Sequence, residues 1–226
     1  MWKQNVVKRK FIGIPILLIY INLVLIFLPE LYAKASMLNL LTILLFSLFI
    51  AGDILFRPLW VGKEKDQFKK STLVIFLLFF TVPVLLYFPY IEYQTFLQHV
   101  IPSPIALMMS IIGNFVLISG GILMIWSRIL LGPYGTPRIV IKDQHQLITH
   151  GIYRYIRHPL YLGYILFLFG YAFAFGSLFF SSLIIVFMLP LTKSRMDLEE
   201  KLLLANIGEK YSDYIKHTKR LIPWFY

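Results

Sequence analysis

Cysteine is absent from the 226-residue chain, which excludes disulfides, thiolate nucleophiles and cysteine-ligated zinc or iron–sulfur centres. Acidic residues are scarce, with 11 Asp and Glu against 22 Lys and Arg, so the net charge is +11. There is no internal repeat, no low-complexity tract and no linker long enough to separate soluble domains. What fills the chain instead is apolar: 58% of residues are hydrophobic and the mean hydropathy is +0.74. A soluble domain carries roughly 45–50% apolar residues, so the sequence reads as an integral membrane protein.

Five apolar regions stand out, at about 11–28, 38–56, 72–91, 103–126 and 159–192. One crossing takes about 20 apolar residues, so the last region is too long for a single span, and Gly176-Ser177 near its middle is a natural turn. It reads as a helical hairpin. The fold class expected is all-α: a polytopic transmembrane protein of about six membrane helices, the last two a hairpin, with a cytosolic loop and a C-terminal helix capping a cofactor pocket. Two regions follow, residues 1–126 as N-terminal transmembrane helices and 127–226 as the part bearing polar chemistry. The basic start (Lys3, Lys8, Arg9, Lys10) before an apolar stretch is shaped like a signal peptide, but no small-residue cleavage site follows, so it reads as a retained first helix.

The basic residues set the orientation. With six crossings, 21 of the 22 Lys and Arg fall on one side and only Lys34 on the other, a positive-inside pattern. Both termini and the 127–158 loop are thus expected in the cytoplasm, in the plasma membrane of a bacterium or the endoplasmic reticulum of a eukaryote. The positive charge is accounted for by this topology and by anionic lipid headgroups, so no nucleic-acid partner is expected. Asp53, four residues before Arg57, reads as a helix-end ion pair with that arginine. Gly113, Gly120 and Gly121 offer small residues for close helix packing.

Chemistry concentrates in two islands flanking the 159–192 run. The first spans His145 to Tyr161 and places His145, Tyr153, His158 and Tyr161 within seventeen residues. Pro159 suits the first turn of a helix, where its missing N–H costs nothing. The head of that helix faces the cytosol and presents free N–H groups suited to an anion, and nearby aromatic faces suit an adenine or a sulfonium cation. Tyr134, Tyr155 and Tyr164 read as interfacial belt residues. The second island is Arg195-Met-Asp-Leu-Glu199-Glu200. Arg195 and Glu199 share a helix face and either pair with each other or act on a ligand, Glu199 accepting from hydroxyls or an amine and Arg195 binding an anion through its fork. Asp197 and Glu200 are expected to face solvent. The three histidines His145, His150 and His158 lack the close helical pairing of a zinc motif, so no metal is expected. The segment from Gly208 to Tyr226 alternates charge with aromatics and suits an amphipathic helix and tail at the membrane surface.

Three motifs in order resemble the isoprenylcysteine carboxyl methyltransferase family, with its prokaryotic relatives and the related phospholipid methyltransferases. They are His145-x-Leu-Ile-Thr-x-Gly-x-Tyr153, Arg157-His-Pro-x-Tyr-x-Gly163, and Arg195-x-x-x-Glu-Glu200 followed by Gly208-x-x-Tyr211-x-x-Tyr214 and a terminal Ile222-Pro223. Ile148 stands where valine is frequent, and Asn206-Ile207 where aromatics are common. The resemblance implies S-adenosylmethionine as cofactor, contacted by His145, Gln146, Leu147, Ile148, Tyr153, His158, Pro159, Leu160, Tyr161 and Glu199. It implies that Arg195 faces the substrate, and that Arg195 and Glu199 carry catalysis. The expected activity is methyl transfer to a lipophilic or lipidated acceptor drawn from the membrane lipids, foremost the carboxylate of an isoprenylcysteine-like substrate. Phospholipid N-methylation, a sterol-reductase-like NADPH enzyme and a non-enzymatic membrane scaffold are the alternatives.

Overall fold

The computed structural model describes residues 37–56, 88–135 and 146–222, and five α-helices lie wholly within them. Helix α1 (Met37–Phe56) is a leucine- and phenylalanine-rich run with no proline. Residues 88–95 are helical and lead through a 3-10 turn, Leu97–His99, to α2 (Ser103–Leu131). Pro102 and Pro104 mark the start of α2, where a missing N–H is harmless. A 3-10 turn at Gly151–Arg154 precedes α3 (Pro159–Ala174), and α4 (Leu178–Ile207) and α5 (Glu209–His217) complete the order. Among the described residues there is no strand, only an isolated parallel bridge between Ile156 and Lys219.

The most extensive helix contact is between α2 and α3, and glycine makes it possible. A Cβ on Gly113 would lie 2.3 Å from the Ala174 nitrogen, one on Gly120 2.4 Å from that of Phe167, and one on Gly170 2.3 Å from that of Leu117. These distances allow no side chain, so the two backbones touch directly. Helix α1 packs across this pair: Phe46 stacks on Phe167 with ring centroids 4.7 Å apart and leans on Tyr171 at 4.4 Å. Tyr90, Leu117 and Phe175 complete the cluster. Thr42 donates to Asn114 Oδ1 at 3.1 Å and adds a polar tie between α1 and α2.

Between α3 and α4 the chain turns at Gly176, whose φ of +72° is a left-handed conformation that favours glycine. Ser177 caps α4 by accepting from Phe180 N at 3.3 Å. Glu92 adds a second cap, accepting from Phe179 N at 3.0 Å and from the Ser177 hydroxyl, so a carboxylate sits at the positive end of α4. The expected arm ended at residue 192, but α4 continues to Ile207. Its second half is rich in Lys, Arg, Met, Leu, Glu and Ala, which favour helix, and nothing breaks it before Gly208. Pro190 lies where the apolar half gives way to the charged half.

Among the described residues two helices, Ser103–Tyr134 and Leu178–Ile207 with their flanking turns, are long and apolar enough to cross a membrane; Met37–Asp53 and Pro159–Ala174 are shorter apolar helices. Large apolar side chains such as Ile111, Phe115 and Ile122 on α2 and Val186, Phe187 and Leu191 on α4 point outward. Such a surface suits hydrocarbon rather than water. The first apolar region, the 57–71 loop and most of the 72–91 region lie outside the described residues.

Candidate active site

The two polar islands meet where the head of α3 packs against the charged half of α4. Pro159 is buried at the first position of α3 and His158 is its N-cap residue. Tyr161, one turn in, donates its hydroxyl to Glu199 Oε2 at 2.9 Å and accepts from Arg195 Nε at 3.3 Å. A phenol thus sits between two side chains that lie four residues apart on α4. Glu199 is one-third exposed and Arg195 is exposed, so this chain of polar groups is open on one side. The His158 ring lies against Tyr161, and its Nδ1 is 3.9 Å from Glu199 Oε2.

The next residue behaves oppositely. Successive residues on a helix point about 100° apart, so Glu200 turns inward and is buried. Its Oε1 receives Arg157 Nε at 3.1 Å and faces His158 Nε2 at 3.0 Å, while Oε2 receives Arg220 Nη2 at 2.6 Å. Burial opposes ionisation, but the hydrogen bonds from His158, Arg220 and Arg157 outweigh it and hold the carboxyl at about 2. The expectation that Glu200 faces solvent is therefore corrected, whereas Asp197 keeps about two-fifths of its side chain exposed. Glu200 continues the buried stripe of Thr192 and Met196 on α4, and Asp197 Oδ1 is 2.7 Å from Arg220 Nη1.

The segment after α5 closes this side. Arg157 N donates to Lys219 O at 2.7 Å, Lys219 N to Tyr155 O at 3.1 Å and His158 N to Arg220 O at 3.0 Å. Arg157 also donates from Nη1 to the Thr218 carbonyl, and Tyr214 donates to Tyr153 O at 2.6 Å. Burial pushes the Tyr211 and Tyr214 phenols above their ordinary range, so both remain neutral.

Tyr153, in the turn before α3, is buried beside Ser127. The Ser127 hydroxyl is donated to Leu123 O at 2.6 Å, and among the described residues the Tyr153 hydroxyl has no partner of hydrogen-bonding geometry. Burial holds that phenol well above its ordinary range. Leu160 is half-buried in the first turn of α3. Gln146 is exposed, and Leu147 and Ile148 are half-buried in the irregular stretch leading to Gly151. No hydrogen bond among the described residues joins Gln146 to the carboxylate cluster, and His145 lies outside the described residues. Among the described residues no group of three His, Asp or Glu is disposed to hold a metal.

A second buried network lies nearby. Arg128 on α2 binds Asp53 on α1 (Nε to Oδ1 2.9 Å, Nη2 to Oδ1 2.7 Å), and its Nη1 donates to Gly135 O at 2.7 Å. Tyr164 on α3 donates to Asp53 Oδ2 at 3.0 Å. Arg57, the partner expected for Asp53, lies outside the described residues. Tyr164, expected in an interfacial belt, instead joins three helices. The sequence signal for Glu200 was the four-residue spacing of Thr192, Met196 and Glu200; no comparable signal pointed to Arg128 or Arg220.

Residues 109–205 match the isoprenylcysteine carboxyl methyltransferase family. The protein-S-isoprenylcysteine O-methyltransferase of Schizosaccharomyces pombe is 33% identical over 82 residues, 36% of this chain and 34% of that protein. A probable protein-S-isoprenylcysteine O-methyltransferase of Oryza sativa subsp. indica is 30% identical over 87 residues, 38% of this chain and 46% of that protein. The methanethiol S-methyltransferase of Crocosphaera subtropica is 38% identical over 77 residues, 34% of this chain and 29% of that protein. The chain thus aligns with under half the length of each of these relatives. The solved structure of the eukaryotic intramembrane Ras methyltransferase, an isoprenylcysteine carboxyl methyltransferase, superposes with a TM-score of 0.60 at 22% identity, covering 89% of this chain and 74% of that one. That likeness is one of fold. The matched residues 109–205, under half of the chain, include the heads of α3 and of the charged half of α4.

Proposed function

We propose that this protein is a membrane methyltransferase that uses S-adenosylmethionine to methylate a lipophilic acceptor, foremost the carboxylate of an isoprenylcysteine-like compound. The observation that carries this reading is the open polar chain Arg195, Tyr161 and Glu199, mounted beside the buried Glu200 network. Both termini are read as cytoplasmic, with six crossings and the last two as a hairpin.

The residues present fit such a donor on two observations. Glu199 keeps a partly exposed carboxylate suited to hydroxyls or an ammonium group, and the buried Tyr153 hydroxyl lacks a partner among the described residues. His145, Gln146, Leu147, Ile148, His158, Pro159 and Leu160 would complete the contact. When bound, the donor supplies a methyl group on a sulfonium sulfur. Tyr161 holds the Glu199 carboxylate in one rotamer, and Arg195 pairs with the acceptor carboxylate through its planar fork. The head of α3 and the segment after α5 cover one side of the site, and alignment of donor and acceptor would supply most of the acceleration. A carboxylate acceptor is already anionic, so no general base is required of the chain.

The test is calorimetric binding of S-adenosylhomocysteine to detergent-purified protein, beside Glu199→Ala and His158→Ala, followed by methyl transfer to S-farnesylcysteine. Saturable binding weakened in both variants, with base-labile label on the acceptor, is the expected result. Base-stable label on a lipid amine would move the assignment to N-methylation, and no binding by folded parent would end the methyltransferase reading.

A further inference from the structure

Arg220 occupies an unusual place for a residue so near the chain's end. Its backbone carbonyl receives the His158 N–H at 3.0 Å, which fixes it to the head of α3. Its guanidinium meanwhile reaches α4, with Nη1 2.7 Å from Asp197 Oδ1 and Nη2 2.6 Å from Glu200 Oε2. Asp197 and Glu200 are one turn apart on α4 and bracket Glu199. A helix held at two points a turn apart cannot rotate about its axis, and rotation is the motion that would carry Glu199 away from Tyr161. The Arg220 side chain is about one-fifth exposed and Glu200 less, so the Glu200 half of the grip is shielded better than an ordinary surface ion pair, while the Asp197 half is about two-fifths exposed.

We infer that Arg220 is a positioning residue for the donor site: by tying the head of α3 to Asp197 and Glu200, it sets the angle at which α4 presents Glu199 to Tyr161 and His158. The inference rests on the functional reading above for its ligand, though not for its geometry. A planar fork is needed to serve both carboxylates at once; lysine serves one at a time, and glutamine removes the charge. Other groups facing the guanidinium do not replace it, because Arg157 and His158 engage the opposite oxygen of Glu200.

The test compares the full-length parent, Arg220→Lys and Arg220→Gln by two readouts. The first is the distance distribution between spin labels on Arg154→Cys and Lys201→Cys, both exposed positions in a chain with no other cysteine. The second is S-adenosylhomocysteine affinity, measured well below each unfolding midpoint. Expected are a narrow distribution in the parent, a broadened one in R220Q, and affinity lower by about tenfold in R220Q, in keeping with loss of a charged hydrogen bond, with R220K between the two. A distribution unchanged in R220Q, or full affinity in a folded R220Q, overturns the inference. If R220Q does not fold, R220K alone decides by the same criteria. If the parent binds no S-adenosylhomocysteine, the functional reading fails and the labelled distance alone decides whether Arg220 sets the helix angle.

Discussion

Tyr161 and Glu199, thirty-eight residues apart in sequence, are joined by a 2.9 Å hydrogen bond in which the phenol donates to the carboxylate. The phenol oxygen also accepts from Arg195, so removing the hydroxyl takes one hydrogen bond from each side chain while the ring continues to pack on His158. Tyr161→Phe is expected to cost roughly 1–2 kcal/mol in donor affinity or transition-state binding, about a tenfold effect. Its thermal midpoint should stay near the parental one. Parental affinity and turnover in this variant would remove Tyr161 from the site.

Glu200 should matter to stability rather than directly to chemistry. Folding lowers its pKa from 4.5 to about 2, so the unfolded chain binds the proton more tightly. The ionised carboxylate therefore contributes fully above pH 4.5, by ~3 kcal/mol, and that contribution is lost as the pH falls from 4.5 toward 2. Glu200→Gln should melt well below the parent at pH 5 to 7, and the gap should narrow below pH 4.5. A gap that does not change with pH would refute this account.

Asp53→Asn leaves Arg128 buried with its positive charge uncompensated, the situation in which breaking a buried pair costs about 3–5 kcal/mol. A double variant that also replaces Arg128 with methionine should recover part of that loss. Chemical denaturation of the single and double variants in the same detergent measures both, and equal loss in each would show that the pair is not energetically coupled.

Gly170→Ala is the sharpest probe of the α2 and α3 seam. Its new methyl would sit 2.3 Å from the Leu117 nitrogen, a backbone atom that cannot turn aside. The helices must separate, and overpacking of this kind costs about 1–3 kcal/mol or more. A Gly132→Ala control meets no atom within 4 Å but carries a φ of +51°, so its smaller loss would report backbone strain alone. Similar midpoints for the two would deny that the seam is tightly packed.

Much of the helical layout was legible because its signals are local. Pro104 and Pro159 mark helix starts, Gly176 marks a turn, and the apolar runs at 38–56 and 103–126 became α1 and α2. The seam glycines were legible as small residues, though their partners were not. Glu199 and Glu200 show where such reading stops. Adjacent carboxylates look alike in sequence, and only the packing of the segment after α5 decides which one is enclosed. The Thr192, Met196 and Glu200 spacing carried that information in faint form. The Asp53, Arg128 and Tyr164 network was hidden for a related reason, since its members are remote in the chain and each has a plausible local explanation. Arg220 had none, being one basic residue in a basic tail.

Helix α4 is anchored at two places by capping and ionic contacts, Glu92 gripping its first turn and Arg220 its charged half at Asp197 and Glu200. It therefore behaves as a beam on two supports. Such a beam yields at mid-span, and mid-span here is the outward-facing apolar stretch 185–191, where Pro190 has already removed one rung of the hydrogen-bond ladder. Compliance of α4 is thereby expected in this outward-facing stretch, away from the supports on either side of it.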